Sequence, residues 1–179
     1  TNALIERKGA RTALLTTEGF RDSLEIGRER KYDLYDLAAK KPRQLAPRDL
    51  RFEVDERMLA DGTVHRPLDT GRLDQIAKDL ENADVSSLAI VFLHSYRNDS
   101  HERAAGERIS ELLPELAVSL SSDVAPEIRE FERASTTVAN AYIKPLARDY
   151  LDALNERLSA REITAPLLLM LSSGGLTHV

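Results

Sequence analysis

The apolar positions fall into two rhythms that alternate along the chain. Residues 10–17 hold a short β-type run, Arg11-Thr12-Ala13-Leu14-Leu15-Thr16-Thr17. Glu18-Gly19 then turn the chain into a helical segment over 20–27 that carries Phe20, Leu24 and Ile26. Residues 28–41 are dense in charge, with Tyr32, Leu34, Tyr35 and Leu37 interspersed. Pro42 and Pro47 bound a connector, since proline cannot donate a backbone hydrogen bond. Over 51–59, Phe52, Val54 and Met58 share one parity and Glu53 and Asp55 the other, the period of a half-exposed strand. Asp61-Gly62 accepts positive φ and brings back Val64-His65-Arg66, so a β-hairpin is expected there.

Further along, Leu73, Ile76, Ala77 and Leu80 recur at helical steps behind a cap at Asp69 or Thr70. Residues 87–93 are apolar on both parities, as in a central strand covered on both faces. Asp99 and Glu102 have the spacing of a capping box for a helix that buries Ala105, Ile109 and Leu112 and stops before Pro114. Residues 116–120 read as a strand. Residues 126–161 read as helix, with Val138, Tyr142, Leu146, Tyr150, Leu154 and Leu158 on one face and Pro145 expected to kink or split it. Residues 167–171 are the last strand. This alternation implies right-handed crossovers and an α/β fold: a mixed sheet with parallel core strands and flanking helices, in one domain over 1–179.

A chain of 179 residues with 42% hydrophobic and 31% charged residues has the composition of a soluble globular domain, not of a disordered segment. A net charge of −5 and the absence of Trp argue against a nucleic-acid partner. The longest apolar run, around 88–93, is far short of the ~20 residues that span a bilayer, so no membrane partner is expected. With no cysteine there are no disulfides, thiolate nucleophiles or Cys-ligated metals, in keeping with a reducing, cytoplasmic setting. There is no initiator Met or signal peptide, and the chain stops shortly after a strand-like run, so both ends read as cuts through a larger protein.

No Walker, Rossmann, zincin or nucleophile-elbow pattern occurs. Ser172-Ser173-Gly174-Gly175 is the best anion-binding candidate. Two glycines free the backbone to aim N–H groups at a phosphate, the serines add hydroxyl donors, and ligands of open α/β sheets bind beyond the carboxyl ends of strands. The alternative is a plain turn. His94 lies at the end of the most apolar strand. His94, His101, Asp99 and Glu102 can be drawn as metal ligands, but the carboxylates are already explained as caps, and a hydrogen-bonded structural histidine is the plainer reading; no metal site is assigned. Glu127, Glu130 and Glu132 interleave with Arg129 and Arg133 at helical spacing, as on an exposed helix face or as a carboxylate pair for acid–base work. Arg21, Asp22 and Arg28 form either a solvated face or a face that recognises a carbonyl or carboxylate, for which arginine's planar donor fork is suited.

Read together, several strings resemble the N-terminal region of the hydantoinase A / 5-oxoprolinase family. They are Thr1-Asn2-Ala3-Leu4-Ile5-Glu6-Arg7-Lys8-Gly9-Ala10, Gly19-Phe20-Arg21-Asp22, Leu24-Glu25-Ile26-Gly27-Arg28, Asp33-Leu34-Tyr35-Asp36-Leu37, Val54-Asp55-Glu56-Arg57, Phe92-Leu93-His94-Ser95-Tyr96, Pro126-Glu127-Ile128-Arg129-Glu130-Phe131-Glu132-Arg133 and Asn140-Ala141-Tyr142. The resemblance covers essentially the whole chain, in order. It implies part of an actin-like, ribonuclease-H-related ATPase fold in an ATP- and Mg²⁺-dependent enzyme that opens hydantoins or 5-oxoproline. The family activates a carbonyl oxygen by phosphorylation, and some members are ketone carboxylases. Two phosphate motifs of the family are not among these residues, so the chain alone is expected to be inactive. Where the family commonly reads Met-Gln-Ser-Asn-Gly-Gly, this chain has Met170-Leu171-Ser172-Ser173-Gly174-Gly175. The implied nucleotide side is Ser172, Ser173, Gly174 and Gly175, and the implied substrate side is Arg21, Asp22, Arg28 and His94. A second hydantoinase subunit is an expected partner, and self-association through a strand edge at 10–17 or its neighbour is a further expectation. A non-catalytic scaffolding or subunit-contact domain is the alternative function.

Overall fold

The computed structural model describes residues 2–28, 35, 36, 38, 42–171 and 174–178, so most of the charged stretch over 28–41, along with Ser172 and Ser173, lies outside the described residues. The elements run α1 (Asn2–Ile5), β1 (Thr12–Thr17), α2 (Ser23–Ile26), a 3-10 turn (Arg48–Leu50), β2 (Arg51–Val54), β3 (Arg57–Met58), β4 (Val64–Arg66), α3 (Thr70–Asn82), β5 (Ser87–Val91), α4 (Ser100–Leu112), β6 (Ala117–Leu120), α5 (Ser121–Val124), α6 (Glu130–Ser159), β7 (Leu168–Met170) and β8 (Leu176–His178). Four strands form a parallel sheet in the order β2-β1-β5-β6. Among the described residues antiparallel pairing is confined to two separate ribbons, β3–β4 and β7–β8.

Every residue of the central strands β1 and β5 is buried, and their alternation divides the core into two layers. Ala13, Leu15, Leu88, Ile90 and Phe92 face α3 and α4, meeting Leu73, Ile76, Leu80, Ala105 and Ile109. Leu14, Ala89 and Val91 face α2 and α6, meeting Leu24, Ala134, Val138 and Ala141. Each large apolar side chain so buried contributes about 1.5–3 kcal/mol relative to exposure. The expected parallel core with flanking helices is present, and β1 lies inside the sheet, which leaves β2 and β6 as its edges.

Three local expectations are corrected. The strand over 51–59 is broken: β2 ends at Val54, the Asp55 carbonyl accepts from the Asp69 N–H at 3.0 Å, and the Glu56 side chain turns inward, so only Arg57–Met58 joins the hairpin. The capping box on α4 does not form. Asp99 pairs with Arg103 at 2.6 Å, Asn98 Oδ1 accepts from the Ser100 N–H at 3.1 Å, and Glu102 is buried elsewhere. Asp69 does cap α3, accepting from the Arg72 N–H at 3.0 Å.

The third correction concerns Pro145, which does not split its helix: α6 runs continuously from Glu130 to Ser159. A helical proline leaves the carbonyl four residues earlier without its donor. That carbonyl belongs to Ala141, and the Ser87 hydroxyl of β5 lies 2.6 Å from it. The neighbouring Tyr142 carbonyl accepts from the Ala10 N–H at 2.9 Å. Gly9 passes so close beneath the Tyr142 ring that an added Cβ would sit 2.1 Å from a ring carbon. The turn of α6 before Pro145 is thus a docking point for the entrance of β1 and for β5. Among the described residues no helix is long and apolar enough to cross a membrane.

Candidate functional site at the carboxyl ends of the parallel strands

The chain passes from β1 to β2 on one side and then crosses to β5 on the other, so the strand order reverses between β1 and β5. In open α/β sheets, ligands bind in the crevice outside the carboxyl ends of strands at such a reversal. A chain of buried polar groups occupies this place. The Thr17 hydroxyl, at the end of β1, donates to Glu56 Oε1 and accepts from the Leu93 N–H at 3.0 Å, tying the ends of β1 and β5 together. Glu56 Oε2 lies 2.8 Å from His101 Nδ1.

Glu102 forms a second knot. Oε1 accepts from the Phe92 N–H at 2.8 Å and from the Ser121 hydroxyl at 2.5 Å, and Oε2 accepts from the Ser122 N–H at 2.9 Å. The carboxylate therefore serves the first turn of α5 and the end of β5 at once. Arg133 completes the group, being 1% exposed, with Nη2 donating to the Phe92 carbonyl at 2.5 Å. Its burial pushes the guanidinium below its ordinary pKa, with Glu102 and then Glu130 acting in the opposite sense. Arg133 is thus not part of an exposed charged face, and Glu102 and His101 are committed to protein partners. Among the described residues no group of three or more His, Asp or Glu side chains is placed to hold a metal.

Next to this network, a cavity of about 270 Å³ opens between the β1–α2 loop and the start of α6. Phe20, Ile26 and Phe131 give it apolar walls, and Asp22, Ser23 and Glu130 add polar groups. Glu53 positions the loop by accepting from the Gly19 N–H at 2.8 Å. Arg48 grips Asp22 through two bonds of 2.9 and 3.0 Å and holds its carboxyl below the usual carboxylate range. A wider groove of about 1000 Å³ lies along the free edge of β6 between α4 and α6, away from the strand reversal. The smaller cavity is the better candidate because it adjoins the crevice that the topology creates.

Of the residues singled out in the sequence, Asp22 lines this cavity. Arg21 lies in the same loop but donates from Nη2 to the Arg48 carbonyl at 2.8 Å, and Arg28 is paired with Glu132. The Arg28 fork is therefore engaged within the chain, while Arg21 is held through Nη2 alone and its Nε is buried without a partner among the described residues. His94 stands apart from them at the end of β5. Gly174 and Gly175 lie in the turn of the β7–β8 ribbon, outside the four-stranded sheet; the Gly174 N–H donates to the Leu171 carbonyl at 2.9 Å. Gly174 has φ 89°, and a Cβ there would meet nothing within 4 Å. The sequence does not mark Thr17, Glu56 or Ser121, and it offers Glu102 only as a cap or metal ligand and Arg133 only as part of a charged helix face, because polar residues in a cap-like or alternating-charge context look the same whether exposed or buried.

Comparison with known proteins gives this site its context. The profile of the hydantoinase/oxoprolinase N-terminal region matches residues 1–113, and the hydantoinase/oxoprolinase profile matches residues 133–179. The chain is 34% identical to 5-oxoprolinase 1 of Arabidopsis thaliana over 98% of its own length and 15% of that protein's. It superimposes on the crystal structure of ATP-dependent caprolactamase from Pseudomonas jessenii with a TM-score of 0.88 and 36% identity, covering 98% of this chain and 26% of that one. It also superimposes on nucleotide-free acetone carboxylase with a TM-score of 0.84 and 27% identity, covering 99% and 27%. The chain spans about a quarter or less of the length of the curated relatives it matches. With family profiles matched across most of its length and the same fold in both solved structures, this chain belongs to the hydantoinase/oxoprolinase family.

Proposed function

We propose that the protein carrying this chain is an ATP-dependent hydrolase that opens a cyclic amide of the hydantoin, 5-oxoproline or lactam type. The observation that carries the reading is the cavity between the β1–α2 loop and α6. Its volume of about 270 Å³ suits a single small ring, and its walls combine apolar surface with an ionised carboxylate, Asp22, able to accept from a ring N–H. The names of the relatives support it, since 5-oxoprolinase and ATP-dependent caprolactamase both act on cyclic amides.

In this reading Asp22 orients the ring. Arg48 keeps Asp22 ionised, and the Arg28–Glu132 pair ties the end of the loop to α6, closing the cavity's flank. Arg21 holds the loop to the Arg48 carbonyl, and His94, in the turn beyond β5, is assigned to the substrate side. The open backbone at Gly174 and Gly175, with Ser172 and Ser173, is the part of this chain assigned to the nucleotide. The nucleotide, when bound, supplies the phosphoryl group that activates the amide oxygen. The Mg²⁺ that accompanies ATP is assigned no ligand here. A partner subunit is part of the reading, since a caprolactamase relative is named as a subunit alpha. The cytoplasm is the assigned compartment.

The test is phosphate release by the intact protein, with any partner subunit, in the presence of 5-oxoproline, hydantoin or ε-caprolactam. Release that depends on one of these supports the reading. Release that depends instead on a ketone and bicarbonate supports carboxylation, the reading favoured by the match to acetone carboxylase. The 179-residue chain alone is expected to release none, because phosphoryl transfer needs groups positioned around all the phosphates.

A further inference from the structure

His94 is the residue at which the chain turns away beyond β5, and its backbone lies in the left-handed region with φ 56°. A non-glycine residue adopts that conformation where its surroundings enforce it, and such strain gathers at functional positions. Here the Arg97 and Asn98 N–H groups both donate to the His94 carbonyl, at 2.8 and 3.2 Å. The adjacent Ser95 hydroxyl lies 3.1 Å from both the Phe92 carbonyl and the Ser121 hydroxyl, so the turn is fixed on both sides. The imidazole thereby places Nδ1 3.3 Å from the Tyr96 hydroxyl, with the two rings edge-on and 5.9 Å apart. Nε2 has no hydrogen-bond partner among the described residues.

Behind Tyr96 stands Arg133. Its guanidinium carbon is 5.6 Å from the centre of the phenol ring, and Nε and Nη1 are buried without a partner. A cation stripped of water interacts strongly with an aromatic face. It draws electron density from the phenol, which makes the hydroxyl a better donor and a poorer acceptor. The direction of the Tyr96–His94 bond follows from this.

We propose that Tyr96, polarised by Arg133, donates its hydroxyl proton to Nδ1 of His94 and fixes the imidazole as the neutral Nε2–H tautomer, so that His94 offers an N–H donor to a carbonyl or phosphoryl oxygen in the crevice between β1 and β5. His94 is then a ligand-binding residue, and Tyr96 and Arg133 are positioning residues that act through it. The inference deepens the proposed hydrolase reading and rests on it for the ligand, but the tautomer is measurable without turnover.

The experiment is a long-range ¹H–¹⁵N correlation on intact protein labelled with ¹⁵N-histidine, at a pH well above the ordinary histidine pKa of about 6.5 so that the rings are neutral. His94→Asn identifies the His94 signals by their loss, since asparagine tolerates left-handed backbone. The wild type should show a protonated Nε2 and an Nδ1 shifted by an accepted hydrogen bond. Tyr96→Phe should abolish that Nδ1 shift and let both tautomers populate. A protonated Nδ1 in the wild type, or an unchanged pattern in Tyr96→Phe, overturns the proposal. Added 5-oxoproline should move the Nε2–H resonance if a carbonyl oxygen is the acceptor, and added inorganic phosphate should move it if a phosphoryl oxygen is. A response to neither overturns the placement of the donor in the crevice. If the hydrolase reading fails in the phosphate-release assay, the tautomer result stands or falls separately.

Discussion

Glu102 is fully buried on the first turn of α4, and its carboxylate takes donors from Phe92, Ser121 and Ser122. Glu102→Gln sets an amide NH₂ against groups that only donate or prefer to. It should destabilise the protein by about 1–3 kcal/mol, the range for leaving buried donors unmatched, read as a lower urea midpoint with an unchanged slope. An unchanged midpoint would show that the carboxylate is not the acceptor described here. At this scale the sequence is least legible. Asp99 and Glu102 have capping-box spacing, and nothing local reveals that α5 begins within reach of Glu102. Arg133 sits among glutamates at helical spacing, and only the packing of α6 on β5 puts it underneath Phe92 and Tyr96. Asp22 stands out in the sequence only beside Arg21 and Arg28, as part of a solvated or carbonyl-recognising face; that it lines a cavity follows from the β1–α2 loop lying against the start of α6.

Among the elements, α6 and β5 are coupled through Pro145. The proline frees the Ala141 carbonyl, and the Ser87 hydroxyl, 2.6 Å away, takes the place of the missing N–H. Ser87→Ala should cost about 1–3 kcal/mol in the wild type because it strands a buried carbonyl. In a Pro145→Ala background the restored N–H serves that carbonyl, so the cost of Ser87→Ala should shrink, giving a coupling energy of about 0.5 kcal/mol or more in a double-mutant cycle. Strict additivity would break the link between the two elements. The apolar positions located β1, α3, β5, α4, β6 and α6 to within a few residues, because β1 and β5 are buried on both faces and α3, α4, β6 and the first half of α6 bury a periodic face. It failed over 51–59, where the alternation is real but the chain changes partner midway: β2 pairs with β1, and β3 pairs with β4. Periodicity reports which face is buried, not which strand lies alongside.

For the whole molecule, several exposed carboxylates are held below their ordinary range: Asp22 chiefly by Arg48, Asp74 chiefly by Arg108, and Asp61 chiefly by the Thr63 N–H. A depressed carboxylate adds stability that is present above its unfolded pKa, about 3.9 for Asp, and is lost as pH falls through the folded value. The urea midpoint should therefore be flat as pH falls towards 5 and decline below about 4, with a shallower decline at high salt, where the Asp22 and Asp74 pairs are screened. A midpoint that rises on acidification would contradict these pairings. The open edges of the sheet are β2 and β6. On β6 the Lys144 ammonium donates to the Val118 carbonyl at 2.7 Å, a charged cover of the kind that blunts pairing between chains.

The proposed site puts ligands at the carboxyl ends of β1 and β5 and at the start of α6. The most direct measurement is hydrogen–deuterium exchange by mass spectrometry on the intact protein, with and without ATP and a cyclic amide that it turns over. Peptides covering residues 17–27, 92–97 and 130–133 should be protected when the ligands bind. Protection confined to other parts of the chain, such as the groove between α4 and α6 along β6, with those three segments unchanged, would contradict it.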